Sequence, residues 1–288
     1  MKKQICCLLL LLSVLVHSQE RKIKIIKTPE NYTAQLDVVY TSIGNWNGRM
    51  DLYTNPTSEK PTPILIHIHG GGWANGTKES QGGFSFLFKN GIAVANVEYR
   101  LRDVAKAPAA IEDVRCALIY ILKNAEALNI DPNKIIVSGN SAGGHLALIT
   151  GLLDNNRLFD KNCKYAPDIN IAAIINKYGV SDITRLQNKG SVRKWIDDKM
   201  DDIFFLRSVS PLYHITENSP PVLTIHGDKD QSVPYNQAVI LDKKLRKNNV
   251  LSKFITVENG GHGKFSKEEK RNYKEQVILF LKELNIID

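Results

Sequence analysis

The stretch Gly139-Asn140-Ser141-Ala142-Gly143-Gly144 constrains this chain more than any other. It follows the apolar run Lys134-Ile135-Ile136-Val137-Ser138 and precedes His145-Leu146-Ala147-Leu148-Ile149, so it reads as a strand, a sharp turn with a serine at its apex, then a helix. A turn that abrupt holds the serine backbone in a strained conformation. Flanking glycines are required because a β-carbon there would strike the neighbouring strand or helix. The serine hydroxyl is thereby held at a sheet edge beside a helix N-terminus, where negative charge is favoured. Glycine and serine are common, so Gly-x-Ser-x-Gly alone is a weak signal. Its weight comes from three further segments and from the pattern around them.

That pattern is an alternation of strands and helices. Gln35–Tyr40 and Arg49–Tyr53 read as half-exposed antiparallel strands joined through Gly44 and Asn47-Gly48. Buried strands are expected at Pro63–His69, Gly91–Val97, Lys134–Ser138, Ile171–Ile175 and Pro221–His226, and a last strand at Lys253–Val257. Helices are expected at Pro108–Ala127, from Ser141 to about Leu153, at Asn236–Lys247 and at Lys267–Leu284. Short, unbroken β-branched runs separated by helices specify a three-layer α/β architecture: a mostly parallel eight-stranded sheet with helices on both faces. The stretch from about Ser181 to Asn218 breaks the alternation and is too long for a simple connection. It is expected to form a small helical cap inserted over the strand ends.

Each of the three further segments follows an expected strand. In His69-Gly70-Gly71-Gly72-Trp73, glycines let the backbone approach closely enough for fixed N–H groups to hold an oxyanion. Gly71, Gly72 and Ala142, the residue after the serine, are the expected donors. His226-Gly227-Asp228-Lys229-Asp230-Gln231-Ser232-Val233-Pro234 offers two carboxylates to orient a base. Asp230 is favoured for that role, and Asp228 is left as a turn-capping alternative. Glu258-Asn259-Gly260-Gly261-His262-Gly263 places a histidine in a glycine-rich loop before the closing helix. Of the 7 histidines, His262 alone has that loop context. His67 lies inside a strand, His69 braces its glycine turn, and His226 orders its own. The expected catalytic set is Ser141, Asp230 and His262, in that chain order.

With those motifs in hand the chain resembles an α/β-hydrolase carboxylesterase with a His-Gly-Gly-Gly oxyanion motif. It is similar to the hormone-sensitive-lipase-like esterases. It is closer to the secreted bacterial group that includes bifunctional feruloyl and acetyl-xylan esterases. Glu98-Tyr99-Arg100-Leu101 and Gly139–His145 carry the likeness together with His69–Trp73 and His226–Pro234. The resemblance implies a serine esterase acting on carboxylic esters of short acyl or aromatic acids, and release of acetyl or feruloyl groups from plant polysaccharides. Two departures stand out. The stretch before the first strand is short for a full N-terminal cap, and Tyr99-Arg100-Leu101 lacks a following Ser-Pro-Glu. An arylformamidase-like amidase, a prolyl-oligopeptidase-like peptidase and a non-catalytic binding protein on the same scaffold are the competing readings.

The rest of the sequence bounds the setting. Met1-Lys2-Lys3, an apolar core from Ile5 to Val16 and Val16-His17-Ser18 form an expected signal peptide over 1–18, leaving an α/β-hydrolase domain over 19–288. The apolar core is short against the ~20 residues of a membrane span. No membrane span is expected after cleavage, and the protein is expected to be secreted or periplasmic. Removing Lys2 and Lys3 reduces the formal charge from +8 to +6, with acidic residues interleaved among the basic ones, which argues against a nucleic-acid partner. Neither a metal-ligand cluster nor a phosphate loop is present in the sequence, so no metal or cofactor is expected. Cys116 and Cys163 remain after cleavage, and the sequence leaves their pairing open.

Overall fold

The computed structural model describes residues 26–163 and 167–288. The expected signal peptide lies outside the described residues. Eight strands form one sheet: β1 (Thr33–Ile43), β2 (Trp46–Thr54), β3 (Thr62–Ile68), β4 (Ala93–Val97), β5 (Ile130–Asn140), β6 (Ile171–Lys177), β7 (Val222–Gly227) and β8 (Ser252–Val257). Their spatial order is β1-β2-β4-β3-β5-β6-β7-β8. The first hairpin joins antiparallel through β2 and β4, and every later pairing is parallel. Parallel neighbours need crossover connections. Helices α1 (Ser85–Phe88), α2 (Ala109–Lys123), α3 (Ala142–Leu152) and α6 (Asn236–Lys247) lie on such connections, and α7 (Lys267–Glu283) follows the last strand. Two short helices, α4 (Gly190–Ile196) and α5 (Ile203–Ser208), lie between β6 and β7.

The helices divide into two layers. Ile111, Leu118, Leu146, Ile149 and Leu241 from α2, α3 and α6 join one core on one face of the sheet. Leu87, Phe88, Val277 and Phe280 from α1 and α7 join a second core on the other. Burial on both faces is why β3 to β7 are runs of Ile, Val, Leu and Ala rather than alternating sequences. The apolar face of α7 is preceded by a capping box in which Ser266 accepts from the Glu269 N–H and Glu269 reaches back to the Ser266 N–H.

The structure departs from the sequence-based boundaries at several elements: β1 and β2 are longer than expected, and α2 ends at Lys123 rather than Ala127. β5 begins at Ile130, four residues before the expected strand, because Ile130 pairs with Thr62 ahead of a register shift between Thr62 and Ile64. That irregularity accommodates Pro132, which reads as a strand breaker. α1 was not expected, since its four residues are too short to display a helical period. Cys116 and Cys163 form a disulfide, with Cα atoms 5.0 Å apart, closing 47 residues of chain between α2 and the loop after α3.

Candidate active site

The elbow follows from steric exclusion. Ser141 has φ 56° and ψ −122°, an unfavourable region for a residue with a side chain. Its N–H donates to the Lys177 carbonyl at 2.9 Å and its carbonyl accepts from the His145 N–H at 3.0 Å, so the neighbouring strand and the first turn of α3 hold the strain. A Cβ on Gly139 would lie 2.1 Å from the Gly143 carbonyl oxygen, and one on Gly143 would lie 2.2 Å from that of Ile68. Only glycine permits α3 to approach β3 and β5 this closely.

Parallel strands deliver their C-terminal ends to one edge, and there the structure brings Ser141, Asp230 and His262 together. His262 Nε2 is 2.8 Å from Ser141 Oγ, and its Nδ1 is 2.6 Å from Asp230 Oδ2. The proton on Nδ1 is donated to the carboxylate, which leaves Nε2 as the acceptor for the serine hydroxyl. The other carboxylate oxygen accepts from the backbone N–H groups of Ser232 and Val233 at 2.8 and 2.9 Å. His226 donates from Nε2 to the Val233 carbonyl and lies 3.3 Å from Asp230 Oδ2. Burial alone would raise the Asp230 pKa. Hydrogen bonds from His226, His262 and the Val233 N–H outweigh it and hold the carboxyl well below the usual range. Asp230 therefore stays ionised. The His262 side chain is 25% exposed, enough for a reactant to reach it.

Asp228 does not join this set: its N–H donates to the Val257 carbonyl and its Oδ1 is buried without a partner. The other described histidines have structural partners. His145 pairs with the Val209 carbonyl, His214 with that of Ser208, and His67 with Gln81. His69 braces its turn through the Gly70 carbonyl, with its ring stacked on Tyr99 at 4.3 Å.

Gly71 (φ 121°) and Gly72 (φ 60°) turn the chain after β3 beside Ser141. A Cβ on Gly71 would lie 1.9 Å from the Asn75 carbonyl oxygen. The backbone N–H groups of Gly71, Gly72 and Ala142 have no acceptor among the described residues. All three residues border a cavity of about 470 Å³ that Ser141 and His262 also line. Tyr99 and Arg100 support this corner from outside. The Tyr99 hydroxyl donates to the His69 carbonyl, and Arg100 grips Asp113 and Glu112 of α2.

The segment 181–218 supplies the opposite wall. Leu186, Lys189, Ser191 and Val192 line the cavity, and Lys189 Nζ donates to the Gln231 carbonyl on the Asp230 loop. Of the aromatic residues in and near this segment, Trp73 lines the cavity. Trp195 is wholly buried against it, while Phe204 is 79% and Tyr213 46% exposed. Sequence reasoning missed Tyr178, whose ring meets that of His262 edge-on at 4.9 Å. Its position directly after a buried strand was the available signal. Among the described residues no group of three His, Cys, Asp or Glu side chains could hold a metal, and no helix is long and apolar enough to cross a membrane.

A largely parallel eight-stranded sheet with a strained serine between a strand and a helix defines the α/β-hydrolase fold. The chain belongs to the BD-FAE family, which it matches over residues 50–245. Residues 206–286 also match the TAP-like protein family. Esterase LipC of Mycobacterium tuberculosis is 30% identical over 221 residues, covering 71% of this chain and 53% of LipC. The chain spans about half the length of the curated relatives it matches first. A truncated form of a carbohydrate esterase from gut microbiota superposes with a TM-score of 0.77 at 25% identity, covering 89% of this chain and 98% of that one. A bifunctional GH43-CE protein of Bacteroides eggerthii gives a TM-score of 0.77 at 26% identity, covering 87% of this chain and 38% of that one.

Proposed function

We propose that this protein is a serine esterase that hydrolyses carboxylic esters of short acyl or aromatic acids. The observation that carries the reading is the unbroken hydrogen-bond chain from Ser141 through His262 to Asp230, opening into the cavity bordered by Gly71, Gly72 and Ala142. In the first step His262 Nε2 takes the Ser141 proton as Oγ attacks the ester carbonyl. The N–H groups of Gly71, Gly72 and Ala142 stabilise the resulting oxyanion. His262, now charged and steadied by the ionised Asp230, gives its proton to the leaving alcohol. Water, deprotonated by His262, then attacks the acyl-enzyme. The acid leaves and Ser141 regains its proton.

Acetyl or feruloyl groups on plant polysaccharides are the proposed natural substrates, met outside the cytoplasm after removal of the leader. The carbohydrate-esterase description of a structural neighbour favours that choice, and the cavity's size suits a small or aromatic acyl group. Ser141→Ala should abolish turnover of p-nitrophenyl acetate while leaving the circular-dichroism spectrum unchanged. Acetylated and feruloylated xylan, assayed beside N-formyl and peptide amides, test the substrate class. Faster amide than ester turnover, or activity surviving Ser141→Ala, would overturn the proposal.

A further inference from the structure

A second cavity, of about 220 Å³, shares Asn140 and Tyr178 with the one at Ser141 but opens on the other face of the sheet. We propose that it binds a small organic carboxylate with an apolar body. This inference does not rest on the esterase reading.

The cavity lies where β3, β5 and β6 end. His67, Ser138 and Lys177 project from those strands toward α1 and α7, and Lys274 of α7 faces them. Its remaining walls mix apolar side chains, with Leu65, Phe84, Leu87, Ile175 and Val277 prominent, and polar ones, among them Gln81, Asn140 and Tyr273. Its charge is one-sided: two ammonium groups border it and no carboxylate does. Lys274 Nζ sits 5.4 Å over the Phe86 ring. The Lys177 ammonium has no hydrogen bond or ion pair among the described residues. His67 adds no charge, since burial, with Lys177 next in effect, lowers its pKa to about 3. Burial, reinforced by Lys274, also lowers that of Lys177, to about 8. Withdrawing a cation from water beside a second cation is costly unless an anion joins them. One carboxylate bridging the two ammonium groups, with the Ser138 and Tyr273 hydroxyls beside it, would meet that need. The apolar side chains of the lining favour a ligand carrying a ring or short chain over a bare phosphate, which would leave that part of the cavity unfilled. The volume falls below the roughly 300–1,000 Å³ of drug-sized pockets, as a one-ring ligand requires.

The test is isothermal titration of the full chain with benzoate and, separately, inorganic phosphate. Lys177→Met and Lys274→Met should each weaken benzoate binding about tenfold or more, the effect of removing a charge-assisted contact. Lys177→Arg should retain it. Lys189→Met, altered at the Ser141 cavity alone, should bind as the parent does. If Lys177→Met fails to fold, Lys274→Met carries the comparison. The proposal is overturned if the parent does not bind benzoate or if it prefers phosphate. Equal loss in Lys189→Met, or unchanged affinity in the two methionine variants, overturns it as well.

Discussion

Gly143→Ala puts the smallest possible wedge between the elbow helix and the oxyanion turn. The added Cβ would lie 2.2 Å from the Ile68 carbonyl oxygen, 2.4 Å from that of His69 and 2.7 Å from the His69 carbonyl carbon. All three are backbone atoms, so no side-chain rotation relieves the contact. To reach even 3.0 Å the two segments must part by about 0.8 Å. One segment carries Ser141 and Ala142, and the other leads into Gly71 and Gly72. The shift therefore moves the nucleophile relative to the donors that must meet the oxyanion. A misplacement of about 1 Å costs roughly 10²-fold in rate, and overpacking costs about 1–3 kcal/mol in stability. The assay is kcat/KM for p-nitrophenyl acetate, run at a temperature where circular dichroism shows the variant folded. Gly190→Ala is the control: a Cβ there meets nothing within 4 Å. It should leave the rate unchanged and stabilise α4 by about 0.5–1 kcal/mol. A folded Gly143→Ala protein whose kcat/KM stays within about threefold of the parent would refute the steric argument.

Asp230→Asn should lower kcat about 10³–10⁴-fold, while Asp228→Asn should change it by no more than a few-fold; comparable losses in steady-state assays of both variants would count against Asp230 as the orienting acid. Because the folded-state pKa of Asp230 is depressed, its contribution to stability is complete above the unfolded value of about 3.9 and is lost as pH falls through the folded value. Thermal melts between pH 6 and 2 should show less acid destabilisation in Asp230→Asn than in the parent. Opening the Cys116–Cys163 bridge by Cys163→Ala releases a 47-residue span and should cost about 4 kcal/mol, a fall in Tm of roughly 10 °C by calorimetry.

The positions of Ser141, Asp230 and His262 are legible in the sequence for one physical reason. Each follows a recognisable strand, and a parallel sheet sends the ends of all such strands to the same edge. The glycines beside Ser141 are legible too, because close backbone approach admits no other residue. Contacts set by three-dimensional proximity leave no such trace. Nothing in the sequence links Lys177 to the Ser141 N–H, 2.9 Å apart across β5 and β6. Nothing fixes the meeting of Cys116 and Cys163, since a pairing requires Cα atoms at bridging distance and spacing does not supply it. Asp131-Pro132-Asn133 reads as a turn, and only its neighbour β3 reveals that the strand has already begun at Ile130. A helical insertion over 181–218 is legible because the stretch is too long for a simple connection, whereas the docking of Lys189 on Gln231 depends on a loop more than forty residues away.

Trp73, the residue after Gly72, lies parallel to Trp195 of α4 with ring centroids 4.3 Å apart, and His145 of α3 meets both edge-on. Three parts of the chain that are distant in sequence are thereby clamped at one corner of the reaction chamber. A bulky guest cannot be admitted by swinging α4 outward at that corner without tugging on the peptide groups meant to hold the oxyanion. Room for a larger guest must therefore be sought away from that corner, among lining residues outside the clamp such as Ser232 on the Asp230 loop.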